Sequence, residues 1–426
     1  MHILILHRIS NKHIRYETGI DHSAHDVTYV ATAHPLSRLP ADLRCTRIER
    51  PGTGDTTEEV LAAVAGRPRP DLVIALAEVD LIVGARVRAA LGVPGEREAD
   101  VLPARDKVVM KSAVAKAGLR VPHFLPLTEA LDTDVSELPW KGETVLKPLD
   151  GSASKHVQVY PALADALDAI RSDGLPGGTG QAGFEVEEFV AGPIIHVDGM
   201  LVDGKPVAIR ASRYVGTCLA YAEGKPLGSV QIEMTPEILQ WSMDCLTAVG
   251  ITTSLFHLEG IETPAGPVFL EVAARFGGAD VVDTFELSTG LHLPSLFLRT
   301  ITGNANAGPE VRPAAAGERY GWFVWPGHQL GGEYCRIERE KDFRESPLVW
   351  RWIQRCEDEP IRTALSYTDT DVPLAGIVGP ADSAELECFL RDVFTSVRVE
   401  PAAGARRGLE CGERGMMGGN EGGSVR

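Results

Sequence analysis

Several features that would assign this chain to a membrane, a nucleic acid or a thiol framework are missing. No apolar run in the 426 residues approaches the ~18 needed to cross a bilayer, and the opening MHILILHRIS is too short and too polar for a secretory leader. No basic stripe is present, and the formal charge of −17 argues against a nucleic-acid partner. The seven cysteines (Cys45, Cys218, Cys245, Cys335, Cys356, Cys388, Cys411) show no C-x-x-C spacing, so they read as reduced, mostly small core residues of a cytoplasmic protein. The dinucleotide fingerprint G-x-G-x-x-G is absent, as is any internal repeat. What remains is a globular chain too long for one ordinary core.

The stretch Leu255 to Gly278 carries the densest chemistry. It reads as two strands joined by turn residues Thr263-Pro264-Ala265-Gly266. Alternation puts His257 and Glu259 on one face of the first strand and Phe269, Glu271 and Ala273 on one face of the second. Folding about Ala265 sets Glu259 opposite Glu271. Like charges so placed are destabilising unless a cation joins them, and a hard divalent ion held by carboxylates and phosphates fits. The alternative is a solvated face with two acids in chance alignment. Arg275 leaves the second strand near that face, and Gly277-Gly278 allows close backbone approach to a ligand.

Along the chain, residues 1–98 alternate strand patterns (His2–Leu6, Val27–Ala33, Leu72–Ala77) with helical ones (Glu58–Ala65, Asp80–Leu91), which predicts an open parallel sheet covered by helices. A helix capped by Asp106 follows, with Met110, Ala113, Val114 and Ala117 as its apolar stripe. Lys107 in its first turn opposes the helix dipole and is either an ordinary surface lysine or a group reaching an anionic ligand. The strand ending at Lys147-Pro148 leads into Gly151-Ser152-Ala153-Ser154, which is either a plain turn or a loop that closes over phosphates. The Phe184–Val190 segment reads as a strand whose Glu187 either faces solvent or meets an adenine amine. Residues 304–318 form a Gly/Pro/Ala-rich connector, 319–401 a small α/β lobe, and 402–426 a Gly-rich tail expected to be disordered. Trp322, Trp325, Trp350 and Trp352 read as core and interface rather than a ligand box.

Taken in order, Lys107, Lys147-Pro148, the GSAS loop, EEFVAG, Glu259 and Glu271-Val-Ala-Ala-Arg-Phe-Gly-Gly resemble the ATP-grasp superfamily over residues 1 to roughly 400. The Glu-x-Ala-Ala-Arg-Phe form is most similar to the bacterial L-amino acid ligases, of the bacilysin dipeptide ligase type. The resemblance implies an α/β architecture of the α+β ATP-grasp kind. Its parts would be an N-terminal open α/β lobe at 1–98, a two-lobed ATP-grasp domain at 99–303 with a central lobe at about 123–190, and the small C-terminal α/β lobe.

It also implies roles. Lys107 and Lys147 would contact the phosphates of ATP, with Ser152 and Ser154 in the closing loop. Glu187, the backbone of Glu188 and Val190, and Phe189 between them would hold adenine. Glu259 and Glu271 would bind Mg²⁺, usually two ions, with Mn²⁺ an alternative. His257 and Arg275 would face the transferred phosphate, with Gly277 and Gly278 beside the substrate. Ile194 stands where relatives carry a ribose-binding acid, so His196 is the substitute candidate. Ala273 replaces a metal-binding asparagine. The implied activity joins a small amino-acid-like carboxylate to an amine through an acyl phosphate, as in antibiotic or other secondary-metabolite biosynthesis, in a cytoplasmic homodimer. The rivals are an ATP-grasp carboxylase, a D-alanine–D-alanine-type ligase, and a non-catalytic nucleotide-binding regulator.

Overall fold

The computed structural model describes residues 1–151, 154–176, 180–303 and 318–402. Ser152, the connector at 304–317 and the tail from 403 lie outside these, so the expectations placed on them are not addressed. The chain divides into two compact units. The first comprises Met1–Ser212, Glu233–Gly277 and the described residues from Thr289; the second comprises Arg213–Ile232, Gly278–Ser288 and the described residues from Glu318.

The first unit begins with a parallel sheet in the order Thr46–Glu49, Asp26–Ala31, His2–Leu6, Leu72–Ala75. The central strands are apolar on both faces because helices cover them. Leu4, Leu6, Val30 and Val73 pack with Val60, Val64 and Val87 from the helices Thr56–Val64 and Leu81–Leu91. Asp55 caps the first of these helices, and Gly92, at φ 66°, closes the second in the left-handed conformation glycine tolerates. The edge strand Thr46–Glu49 is half-exposed and too short for its period to be read from sequence.

A small antiparallel sheet follows, in the order Phe124–Pro126, Phe184–Glu188, Thr144–Pro148, Gln158–Tyr160. Phe184 and Val186 point one way, into a core with Leu146, Leu163, Leu167 and Trp140. Alternation therefore sends Glu185 and Glu187 to the other face. The strand stops at Glu188, short of Val190. The remaining strands of this unit include Ile194–Val202 and the hairpin Ser254–Thr263/Gly266–Ala273.

The helix Lys107–Lys116 is capped by Asp106, whose carboxylate accepts from the N–H groups of Val108 (2.9 Å) and Val109 (3.0 Å). Its buried face is Lys107, Met110, Lys111 and Val114, at helical spacing. Half of that face is lysine, which a search for apolar residues alone passes over; Ala117, expected in the stripe, is the exposed C-cap.

In the second unit an antiparallel sheet runs Leu227–Ile232, Arg319–Val324, Leu374–Ala381, Val349–Gln354. The helix Ser383–Ser396 lays Leu386, Leu390 and Val393 on a core containing Phe323, Trp325 and Val378. Trp322 and Trp325 are buried as expected, whereas Trp350 is 47% exposed and belongs to no core. Among the described residues, no helix is long and apolar enough to cross a membrane.

Candidate active site

Ladder pairing places Glu259 opposite Glu271 and His257 opposite Ala273. Nearer the turn the register changes, with Gly260 opposite Phe269 and Thr263 opposite Gly266, so Leu270 is an extra, bulged residue. The bulge corrects one expectation. Phe269, paired with Gly260, lies on the face opposite the two acids and is fully buried there. Lys107 is buried, not an ordinary surface lysine: its Nζ lies 3.0 Å from Glu271 Oε2 and donates to the Gly151 carbonyl at 2.9 Å. Burial would raise the Glu271 pKa, but the charges of Lys107 and Lys147 outweigh it and bring the group down to about 2. A carboxylate that stays ionised opposite a second carboxylate is a hard-oxygen donor set of the kind Mg²⁺ takes.

Behind this pair runs a chain of buried polar groups. His196 Nδ1 lies 2.6 Å from Asp198 Oδ2, and His257 Nδ1 lies 2.8 Å from Asp198 Oδ1. His257 Nε2 is 3.2 Å from Glu259 Oε1. The register explains the assembly, since Ile194–Val202 sets Asp198 opposite His257 and His196 opposite Glu259. With a carboxylate at each nitrogen, His257 carries two N–H groups and is an imidazolium. Burial alone would depress its pKa, but Asp198 and Glu259 override it and push it up to about 10. Burial would likewise raise the Asp198 carboxylate, yet the two histidines hold it well below the usual range.

His196, Asp198 and His257, all buried, lie close enough together to share a metal ion. His257, expected to face the transferred phosphate, engages Asp198 and Glu259 through its two ring nitrogens. His196, the expected ribose contact, is 1% exposed and its Nδ1 engages Asp198. Asp198 shares a strand face with His196 in the sequence, but its partnership with His257 depends on a pairing between segments 59 residues apart.

A second buried group lies across the helix. Lys111 Nζ contacts Glu185 Oε1 at 2.6 Å and Glu187 Oε2 at 2.5 Å, and Lys147 Nζ contacts Glu187 Oε1 at 2.6 Å. Glu187, the expected adenine contact, is therefore not solvent-facing, and each of its oxygens meets a lysine. Burial favours the protonated form of Glu187, and the two lysines reverse that, lowering its pKa. The neighbouring backbone is also engaged: Glu188 N–H donates to His123 O at 2.7 Å and Phe189 N–H to Glu143 O at 2.9 Å. Glu188's carboxylate accepts from Arg120 and the His123 N–H. The Phe189 ring is 38% exposed and Val190 is half-buried beyond the strand end. Ser154 sits at φ 53°, a conformation that non-glycine residues rarely adopt outside tight turns.

Arg275 does not stand alone past its strand. Its Nε and Nη2 donate to Glu78 Oε2 at 3.0 and 2.9 Å, and Arg105 pairs with the other Glu78 oxygen. Glu78 lies just beyond the carboxyl end of Leu72–Ala75, the usual ligand-facing end of a parallel sheet. No motif marked Glu78, Arg105, Lys111 or Glu185, because each acquires its partner only through tertiary pairing. Gly277 is buried at the end of the first unit; Gly278 opens the second and has open space around its α-carbon.

This architecture recurs in solved structures. An L-amino acid ligase from Bacillus licheniformis matches 93% of this chain and 98% of its own with a TM-score of 0.66 at 20% identity. The chain has the ATP-grasp fold. An ADP complex of N5-carboxyaminoimidazole ribonucleotide synthetase shares that ATP-grasp architecture over 92% of this chain and 95% of its own, with a TM-score of 0.61 at 14% identity. In sequence, the chain is 24% identical over 243 residues to an L-arginine-specific L-amino acid ligase of Bacillus subtilis. It spans about half of that relative, 55% of its length. No family model matches the chain.

Proposed function

We propose that this protein is an ATP-dependent carboxylate–amine ligase that joins small amino-acid-like substrates through an acyl phosphate and releases ADP and phosphate. The observation that carries the reading is the facing pair Glu259/Glu271, held between the cations Lys107 and His257. The likeness to two L-amino acid ligases and to an ADP-bound synthetase supports the same reading.

Glu259 and Glu271 would hold Mg²⁺, which when bound supplies neutralising charge for the triphosphate. Lys107, on Glu271 and the Gly151 carbonyl, and Lys147, on Glu187, would exchange these contacts for phosphate ones. The substrate carboxylate then attacks the γ-phosphate, forming a C–O–P linkage as the bond to ADP breaks. An amine next attacks the carbonyl and phosphate leaves, giving the amide. Arg275, kept aimed by Glu78, would stabilise the charge that develops at that carbonyl, a contribution of about 3 kcal/mol for a well-placed donor. Ala273, opposite His257, leaves room for substrate beside the acids.

The test is ADP release by the full chain with Mg-ATP, with and without an amino acid mixture, alongside mass spectrometry of the products. Amino-acid-dependent release with a new amide is expected, and Glu271→Gln should lower it at least tenfold. Release indifferent to amino acids, or none, would sink the ligase reading.

A further inference from the structure

The buried lysine on the Lys107–Lys116 helix is not used in the chemistry above, yet it is the least accessible cation of the site. Lys111 is 0% exposed, its Nζ is held by Glu185 and Glu187, and it lies 4.9 Å above the centre of the Phe124 ring. Lys147 completes the group from the neighbouring strand, 2.6 Å from Glu187 and 3.8 Å from Glu185. Two lysines thus meet two glutamates, whose formal charges cancel, while burial pushes the pKa of Glu185 up. Glu185 has one oxygen, Oε2, that is buried without a hydrogen-bond partner. Isolated buried charge is costly, and removing one partner of such a set strands the other.

We propose that Lys111 is a positioning residue that releases Lys147 to the nucleotide: by staying on Glu185 and Glu187 it allows the Lys147 ammonium to move onto an incoming phosphate. The inference rests on the ATP-dependent reading. If Lys147 leaves while Lys111 stays, one uncompensated negative charge remains behind. Without Lys111, two remain, and Lys147 is held where it is. The spacing of Lys107 and Lys111, one helical turn apart on the same face, fits this division of labour. Lys107 attends the proposed metal acid, Lys111 the acids of the small sheet.

Isothermal titration of the full chain with Mg-ADP, read beside thermal unfolding, tests this in wild type, Lys111→Met and Lys111→Met/Glu185→Gln. The double variant loses one charge of each sign, so Lys147 departs at the same residual charge as in wild type. Lys111→Met should weaken Mg-ADP binding by about tenfold or more, and the double variant should recover most of that loss although the lysine is still missing. A folded Lys111→Met chain with wild-type affinity overturns the proposal. So does a double variant that binds no better than the single one, or that fails to fold, since Lys111 would then be structural. If Lys111→Met alone fails to fold, the double variant decides, with near-wild-type affinity as the supporting result. Wild type that binds no Mg-ADP at all would instead overturn the ATP-dependent reading, and this inference with it.

Discussion

His257 links Glu259, the proposed metal ligand, to the buried Asp198, and its protonation has a measurable consequence. Its folded pKa, about 10, lies above the 6.5 of a free histidine. The stability this ring contributes is therefore fully present below about pH 6.5 and is lost as pH rises through about 10. Melting temperatures of the wild type should fall across that window. Asp198→Asn, which removes the strongest electrostatic support of the imidazolium, should start lower and fall less over the same range. Parallel pH profiles for the two proteins would show that the Asp198–His257 pair does not control the ring. At this scale the sequence was a partial guide. Alternation along one strand was enough to place His257 and Glu259 on one face. It could not show that both nitrogens of His257 would be taken by carboxylates, because the second acceptor arrives from another strand.

The hairpin shows how an element can be legible while its register is not. Turn chemistry at Thr263-Pro264-Ala265-Gly266 located the reversal, and counting from Ala265 paired the two acids correctly. The bulge at Leu270 escaped that count, since an extra residue is set by packing on the far face and leaves no mark in a hydrophobic pattern. Gly260 lies beside it, where an added Cβ would come within 2.4 Å of Trp241 Cη2 and 2.8 Å of Cζ2. Gly260→Ala should therefore destabilise the chain by about 1–3 kcal/mol, the usual cost of overpacking. In a Trp241→Leu background the same change should cost less, giving a favourable coupling in the double-mutant cycle. Equal costs in the two backgrounds would show that the indole does not require this glycine. The lysine-bearing helix teaches a related point: buried Lys107 and Lys111 satisfy the helical period as faithfully as Met110 and Val114 do, so the period was present but carried by the wrong residue class.

For the molecule as a whole, the excess of acid sets the terms on which an anionic nucleotide could bind. A chain of net charge −17 repels ATP at a distance, and the proposed site itself faces the ligand with Glu259 and Glu271. Local cations must reverse that field. Lys107 is paired with Glu271 and Lys147 with Glu187, so a divalent ion on the proposed acid pair would release Lys107 to the phosphates. A ligand that binds only the folded state adds RT ln(1 + [L]/Kd) to its stability, about 2.7 kcal/mol at a hundredfold excess over Kd. Mg-ADP at that excess should raise the melting temperature by a few degrees. ADP with EDTA, at the same nucleotide concentration, should raise it little or not at all. In Glu271→Gln, where one repelling charge is gone together with one metal ligand, the gap between the two conditions should narrow. Equal shifts with Mg²⁺ and with EDTA would mean that the nucleotide binds without the carboxylate pair, and the assignment of Glu259 and Glu271 to the metal would fail even if the chain proved to be a ligase.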